Sequence, residues 1–174
     1  LAATGEAVKN PPVAWFNQVK TPEQQLEDVS QLFLGVRMNC AQCHHHPFER
    51  WSQQDYYGLS AFFSQIGRRP TAIASQSIIF HKRGVALGEN KKTKETVKPA
   101  GLGSPPFEIP PDDDPRLVLG EWMAAKDNPF FAKALVNRYW KHFFNRGLVE
   151  PEDDIRDTNP ASNPELLEAL AADF

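Results

Sequence analysis

The stretch TPEQQLEDVSQLFLGVRMNCAQCHHHPFERWSQQDYYGLSAFFSQI (residues 21–66) places a cluster of cysteines and histidines between two helical patterns. Thr21, Pro22 and Gln24 supply an N-cap, a proline at the first helical position and a capping-box partner. The predicted buried face of this helix consists of Leu26, Val29, Leu32, Phe33 and Val36. A second helix is predicted from Ser52 to Ile66. Its apolar face consists of Tyr56, Leu59, Phe62, Phe63 and Ile66.

Both cysteines of the chain lie in the pentapeptide Cys40-Ala41-Gln42-Cys43-His44. This is the CxxCH pattern of covalent haem c attachment. Two thiols at this spacing each add to one haem vinyl group, and the adjoining imidazole becomes the proximal ligand of the iron. We therefore expect Cys40 and Cys43 to hold haem c and His44 to bind its iron.

Three other readings of this cluster stay open. Zinc is the first, although structural zinc usually takes ligand pairs separated by a longer loop. Its ligands would be Cys40, Cys43, His44 and His46, or a more distant histidine. The second is a dithiol redox pair. Such a pair requires a position between a strand and a helix, which the pattern does not predict. The third is a cysteine pair, reduced or disulfide-bonded, on a polar loop.

Aromatic residues flank the cluster and are expected to form an apolar cradle for the porphyrin, although ordinary core packing explains them as well. The expected cofactor contacts are Phe33, Trp51 and Phe62. The best candidate for the distal iron ligand is His142, which follows Tyr139 on an aromatic-rich helix. His81, on a predicted strand, is a weaker candidate, and a five-coordinate iron is the alternative.

The predicted fold class is mainly α, with a small irregular or β insertion near residues 73–100. Short strands are expected at residues 77–80 and 95–97. Helices resume after Asp114 and Asn128, and the last helix has Ser162 as its expected N-cap. The predicted segments are a flexible leader (1–20), the CxxCH module (21–72), an insertion and linker (73–114) and a helical second domain (115–174).

Composition narrows the function classes. The chain has 174 residues, of which 41% are hydrophobic and 24% charged, as in soluble globular proteins. A net charge of −3 argues against nucleic-acid binding, and no apolar run is long enough to span a membrane. The chain begins at Leu1, which indicates a processed form or a fragment. No nucleophile triad, phosphate loop or convincing pair of catalytic carboxylates is evident, so catalysis ranks behind electron transfer.

The chain resembles a known pair of domains. Residues 21–66 look like the cytochrome-like domain found in large secreted planctomycete proteins, and residues 115–174 resemble the planctomycete-specific domain that usually follows it. The segments that carry the resemblance are LFLGV (32–36), CAQCHHHPFERW (40–51), DYYGL (55–59), AFF (61–63), DNPFFA (127–132), NRYW (137–140), RGLVEP (146–151) and NPELL (163–167).

The resemblance implies an exported protein that carries haem at its CxxCH motif outside the cytoplasm. It also implies a task for His46, such as a second-shell contact or an alternative metal ligand, whereas His45 stands where the family often has an acidic residue. The second domain of the family runs further than residue 174. We therefore expect further domains or subunits to pack on the apolar last helix.

Arg138 is a further candidate, because its guanidinium can pair with a haem propionate or with a carboxylate such as Asp153 or Asp154. A purely structural ion pair to the 152–154 loop is the favoured explanation. The sequence as a whole favours a c-type haem module that exchanges electrons with an unidentified redox partner. The alternative is a zinc-stapled structural or interaction domain without redox activity. An enzyme acting on polymeric substrates is the third hypothesis.

Overall fold

The computed structural model describes residues 1–45, 49–73 and 75–174. It is 40% helical, with six α-helices and a few short strands in small sheets. The helices are α1 (Ala14–Gln18), α2 (Pro22–Val29), α3 (Gln53–Ala61), α4 (Pro115–Ala124), α5 (Phe131–Phe144) and α6 (Pro164–Asp173). The strands are β1 (Ile66–Pro70), β2 (Ser77–His81), β3 (Gly88–Glu89) and β4 (Thr96–Val97). The fold is therefore mixed, and the prediction of a mainly α chain is confirmed only for its helices.

Helix α2 begins as its sequence predicts. The Thr21 hydroxyl accepts a hydrogen bond from the Gln24 amide at 3.2 Å, and the Gln24 side chain accepts one from the Thr21 amide at 3.2 Å. This capping box satisfies two backbone donors that a helix start would otherwise leave without partners. Leu26 and Val29 are fully buried, so the predicted face of the helix packs into the core.

The segment after α2 departs from the prediction. Ser30–Leu34 forms a π turn that ends at Gly35, whose φ of 67° lies in the left-handed region. A π turn holds more residues per turn than an α-helix, so the side chains that follow Val29 rotate away from the face set by α2. Leu32 and Phe33, both predicted to be buried, are therefore 45% and 39% exposed.

Helix α3 is shorter than predicted. It starts after the cap Ser52, as expected, and buries Tyr56, Tyr57 and Leu59. It ends at Ala61, where the Ser64 hydroxyl donates to the Ala61 carbonyl at 2.8 Å. Ile66, expected on the helix face, instead begins strand β1.

Two small antiparallel sheets lie within residues 66–97. The predicted strands at 77–80 and 95–97 are confirmed as β2 and β4. Their partners β1 and β3 were not predicted. In the first sheet Ile66 pairs with His81 and Pro70 pairs with Ser77.

The segment predicted as a flexible leader, residues 1–20, contains a 3₁₀ turn and helix α1 and packs on β2. Gly5 and Ile79 exchange both backbone hydrogen bonds, at 2.7 and 2.9 Å. Val13 and Phe16, carried by the 3₁₀ turn Pro11–Val13 and by α1, form one buried cluster with Ile79. Burial of these three apolar side chains outweighs the chain-breaking effect of the two prolines at 11 and 12.

The second half is joined to the first by a shared core. Leu119 and Met123 of α4 belong to the same hydrophobic cluster as Leu26 of α2 and Leu59 of α3. At the start of α4, Asp114 caps the Arg116 amide and also binds the buried Arg116 guanidinium, at 2.9 and 2.6 Å. The predicted domain boundary at residue 115 stays a prediction. These four core residues, two on each side of it, belong to one packed cluster.

Helix α6 starts one residue later than predicted and has a packing partner. Its N-cap is Asn163, whose side chain accepts a hydrogen bond from the Leu166 amide at 3.0 Å. The expected cap, Ser162, donates its backbone amide to the Leu148 carbonyl at 2.7 Å instead. Leu167 is buried in a cluster with Leu148 and Val149, whereas Phe174 at the C-cap is 66% exposed. The packing of further domains or subunits on this helix stays a prediction.

Candidate cofactor-attachment site

Cys40 lies in the 3₁₀ turn Asn39–Gln42 and Cys43 is its C-cap; we call residues 39–43 the cysteine turn. The amides of Cys43 and His44 both donate to the Cys40 carbonyl, at 3.4 and 3.5 Å. Side chains three residues apart eclipse each other on a 3₁₀ turn, so the Cys40 and Cys43 thiols share one face. Both cysteines are exposed and neither is in a disulfide.

The opposite face of the cysteine turn is anchored in the core. Met38 and Ala41 are fully buried and belong to the main hydrophobic cluster. Met38 and Ala41 are three residues apart, and so are Cys40 and Cys43. The two pairs therefore lie on different faces of the turn, and the cysteines stay exposed to solvent while Met38 and Ala41 are buried. Sequence reasoning missed this signal, which is visible in the letters MNCAQC (38–43).

Glu27 holds the first end of the cysteine turn. One of its carboxylate oxygens accepts a hydrogen bond from the Asn39 side-chain amide at 3.0 Å. The other accepts from the Tyr56 hydroxyl at 2.7 Å. Burial, and then the hydrogen bond to Glu27, raise the pKa of Tyr56 far above its ordinary value, so the hydroxyl stays protonated and remains a donor.

Helix α3 holds the second end. The Gln42 carbonyl accepts hydrogen bonds from the Gln53 side-chain amide at 3.1 Å and from the Tyr57 hydroxyl at 3.3 Å. Gln42 directly precedes Cys43, so these bonds fix the backbone that carries the second thiol. The residues that position the turn lie 11 to 15 positions away from their partner in the sequence, which is why local patterns did not reveal them.

His44 is exposed, and its Nδ1 lies 2.6 Å from the His45 carbonyl oxygen. A carbonyl oxygen only accepts hydrogen bonds, so Nδ1 carries the proton. In the neutral ring this leaves the Nε2 lone pair available to a metal. A ring N–H bonded to a backbone carbonyl is the usual way in which a metal-binding histidine is oriented.

In residues 1–45, 49–73 and 75–174, no group of three or more histidine, cysteine and acidic side chains is arranged to hold a metal ion. These residues therefore contain no assembled zinc site. His46, one of its predicted ligands, lies outside the described residues.

The aromatic residues predicted to cradle the cofactor are mostly engaged in the core. Phe62 is fully buried, with its ring 5.8 Å from that of Phe107. Trp51 is buried against Phe130 at 6.0 Å, with the Arg50 guanidinium 4.7 Å above its ring. Phe33 is the most exposed of the three and faces Phe131 of α5 at 6.5 Å. Their contacts with a cofactor stay predictions.

Arg138 has partners other than the predicted carboxylates. Its guanidinium donates to the carbonyls of Gln31 and Leu32 at 2.7 and 3.2 Å, at the π turn. Asp153, the predicted partner, binds Arg37 at 2.5 Å. Arg138 therefore has structural partners that differ from the predicted 152–154 loop. Its hydrogen bonds tie α5 to the segment that precedes the cysteine turn. Its contact with a propionate stays a prediction.

The two candidate distal ligands lie on different elements. His142 is exposed in the last turn of α5, with its ring 5.2 Å from that of Phe143. His81 ends β2, and its Nε2 is buried without a hydrogen-bond partner in the described residues. Their roles as iron ligands stay predictions.

A groove of about 420 Å³ opens just after the cysteine cluster. Its lining includes Glu49, Trp51, Phe130, Asp157 and the start of α6. Burial, and then the negative charge of Asp157, raise the pKa of Glu49 above its ordinary value. Sequence reasoning did not single out Glu49, because the residues that perturb it lie more than a hundred positions away.

The chain's own donors fit the covalent haem that the sequence predicts. Two exposed cysteines lie three residues apart on one turn, and the imidazole that follows has its Nδ1 proton directed at a carbonyl. The fit concerns attachment and the proximal ligand. The buried aromatic residues Phe62 and Trp51 belong to the closed core and leave the attachment face exposed.

In the described residues, no helix combines the length and the apolar character needed to cross a bilayer. No curated protein and no solved structure matches the chain significantly.

Two family models match the chain, and both are of planctomycete-type domains. Residues 4–68, which include the cysteine turn, match the family PSCyt2, described as a protein of unknown function (DUF1549). The match begins within the predicted leader, in agreement with the packing of that segment on β2. Residues 115–174 match the family PSD1, described as a protein of unknown function (DUF1553). The chain is thus similar to two planctomycete-type families in the order that its sequence resemblance predicts.

Proposed function

We propose that the chain is a c-type haem module of an exported protein and that it carries single electrons. Cys40 and Cys43 are the attachment residues, and His44 is the proximal iron ligand. The chain acts in electron transfer rather than as a catalyst, and its redox partner is a second protein.

One observation carries this proposal: Cys40 and Cys43 are both exposed, three residues apart on the cysteine turn, and buried Met38 and Ala41 anchor this turn in the core. The three-residue spacing on such a turn is expected to place both thiols on the same side. A fixed pair of thiols is what two additions to one rigid macrocycle require, because a flexible pair would lose conformational entropy at the second addition. A polar loop with no such task would not need one clamp on the Asn39 side chain and another on the Gln42 carbonyl.

The chemistry of attachment is redox-neutral. Each thiol adds across one vinyl double bond: the sulfur bonds one vinyl carbon, the thiol hydrogen goes to the other, and nothing leaves. Once bound, the group supplies an iron centre that gains and loses one electron. His44 holds the iron through Nε2, while its Nδ1 proton bonded to the His45 carbonyl sets the ring orientation.

The exposed position of the attachment face supports electron transfer with a partner protein. A group fixed to Cys40 and Cys43 has an edge at the protein surface, where a second protein can approach it. His142 is the proposed distal ligand and His81 the second choice. A five-coordinate iron is the alternative outcome. The proposed location is outside the cytoplasm, where haem is covalently attached by dedicated machinery.

The test is production of the chain in a host with periplasmic haem-attachment machinery. The wild-type protein should show haem absorption bands that survive extraction with acidic acetone. The Cys40→Ser/Cys43→Ser double variant should be colourless after the same extraction. A colourless wild-type protein with one zinc per chain by elemental analysis would overturn the proposal and favour the zinc-stapled interaction domain.

Histidine variants test the ligand assignment. His44→Ala should alter the Soret band, whereas His45→Ala, its exposed neighbour, should leave it unchanged. His142→Ala should convert a six-coordinate spectrum to a five-coordinate one. An unchanged spectrum in His142→Ala would remove this residue as the distal ligand without affecting the attachment.

A further inference from the structure

We infer that the two ends of the cysteine turn are positioned separately, the Cys40 end by Glu27 and the Cys43 end by Tyr57. This inference deepens the proposed function and rests on it where haem attachment is concerned. Neither residue touches the cofactor. Glu27 acts through the Asn39 side chain and Tyr57 acts through the Gln42 carbonyl, so both are positioning residues.

The Cys40 end depends on one carboxylate with two donors. Glu27 accepts from Tyr56, a fully buried side chain on α3, and from Asn39, an exposed residue that directly precedes Cys40. The buried hydroxyl fixes the carboxylate, and the carboxylate fixes Asn39. Hydrogen bonds to an ionised acceptor are stronger than neutral ones, so this clamp is the stiffer of the two.

The Cys43 end depends on a carbonyl with two neutral donors. The Gln42 carbonyl receives the Tyr57 hydroxyl and the Gln53 amide at 3.3 and 3.1 Å. Both donors belong to α3, whereas Glu27 belongs to α2. The two ends of the turn therefore rest on different helices.

Adjacent tyrosines of α3 support the two ends by different routes, Tyr56 through Glu27 of α2 and Tyr57 directly. Tyr56 and Tyr57 pack edge to face, with ring centroids 5.2 Å apart, and their hydroxyls go to different partners. Consecutive residues of an α-helix point about 100° apart. Asn39 and Gln42 lie three residues apart on a 3₁₀ turn, about 6 Å along its axis at about 2 Å per residue. The two hydroxyls thus serve two positions that one side chain could not serve together.

The first test needs no haem. Amide hydrogen exchange of the unloaded chain reports each end, because the Ala41 amide donates to Met38 and the Cys43 amide donates to Cys40, at 2.9 and 3.4 Å. Glu27→Gln keeps the shape of the side chain but leaves one acceptor oxygen in place of two. It should speed exchange at Ala41 about fivefold and leave Cys43 near the wild-type rate.

Tyr57→Phe should give the opposite pattern, with faster exchange at Cys43 and an unchanged rate at Ala41. The matched controls are Glu23→Gln, an acidic residue of α2 that pairs with Lys91 instead, and Tyr139→Phe, an exposed tyrosine of α5. The amide of Ala134 in α5, bonded to the Phe130 carbonyl, should exchange at the wild-type rate in every variant. Equal acceleration at Ala41, Cys43 and Ala134 would show global destabilisation and overturn the inference.

The second test uses the loaded chain. Mass spectrometry of haem-bearing peptides counts thioether bonds at each cysteine. Glu27→Gln should increase the fraction attached through Cys43 alone, and Tyr57→Phe should increase the fraction attached through Cys40 alone. Equal loss at both cysteines would overturn the separate control of the two ends. Absence of haem from the wild type, with the asymmetric exchange pattern intact, would sink the haem proposal and leave the positioning of the turn established.

Discussion

The cysteine turn and the loop at Val149 are both held by hydrogen bonds to helix side chains that lie more than ten positions away along the chain. At Val149 the Asn137 side chain donates to the carbonyl and accepts from the amide, both at 2.9 Å, and the asparagine is fully buried. At the cysteine turn the clamps hold Asn39 and Gln42, while the cysteines they flank are exposed.

The difference lies in what each set of bonds displays. The two hydrogen bonds between Asn137 and Val149 hold no exposed group in place, so they contribute to the stability of the second half. The clamps of the cysteine turn hold a surface segment in place, so their value is in the position of two thiols. Substitutions should therefore separate the two regions: one should lose global stability, and the other should lose local order.

The largest effect is expected at Asn137. Asn137→Leu removes both partners of the Val149 backbone and leaves a buried donor and a buried acceptor unsatisfied, at a cost of about 3 kcal/mol in the free energy of unfolding. Urea denaturation followed by circular dichroism measures this loss. Asn10→Ala, which removes one exposed bond to the Thr4 carbonyl, is the control and should cost less than about 0.5 kcal/mol. Equal losses in the two variants would contradict the role of burial.

A smaller effect is expected at the two tyrosines of α3. Tyr56→Phe deletes a buried hydrogen bond to the Glu27 carboxylate and should lower the free energy of unfolding by about 1.5 kcal/mol. Tyr57→Phe deletes a longer bond to a neutral carbonyl and should lower it by about 0.5 kcal/mol. The two variants remove one oxygen each from adjacent residues, so each controls for the other in the same denaturation experiment. The reverse order would mean that the charged acceptor does not strengthen its clamp.

Sequence reasoning found what is encoded locally. Thr21 with Gln24, and Asp114 with Pro115, announce helix starts within four residues, and both starts are confirmed. It failed where a distant partner decides the outcome. The leader is ordered because Ile79 covers Phe16, and β1 forms because β2 pairs with it.

The candidate site divides in the same way. The pattern CxxCH predicts Cys40, Cys43 and His44 as site residues, since the spacing itself carries the chemistry, and this stays a prediction. Glu27 and Tyr57 were not identified, because nothing in their neighbourhood differs from ordinary helix residues. Their task exists only once α2 and α3 are placed against the cysteine turn. The rotation of Phe33 to the surface follows from the π turn, which no apolar period reveals.

The smallest effect is expected at Glu49, in the groove that Val149 also lines. Burial, and then the charge of Asp157, raise the pKa of this carboxyl in the folded protein above its ordinary value of 4.5, against the opposing influence of Arg156. The folded state therefore binds the proton more tightly than the unfolded state. The stabilisation from the protonated form is complete below the unfolded-state pKa, and it is lost as pH rises through the raised folded-state pKa.

Glu49→Gln stays uncharged at every pH, so its free energy of unfolding should increase relative to that of the wild type as pH rises from about 4 to about 7. Solvent screens this partly exposed carboxyl, and the expected gain at neutral pH is only about 0.3 kcal/mol. Thermal melts of both proteins across this pH range measure it, with the exposed Glu121→Gln as control. A gain that grows as pH falls would show a lowered pKa, and Glu49 would then be held as a carboxylate by the positive charges of the groove. The sign of this small difference decides whether the groove beside the cysteine turn disfavours negative charge, as its buried carboxyl oxygen indicates.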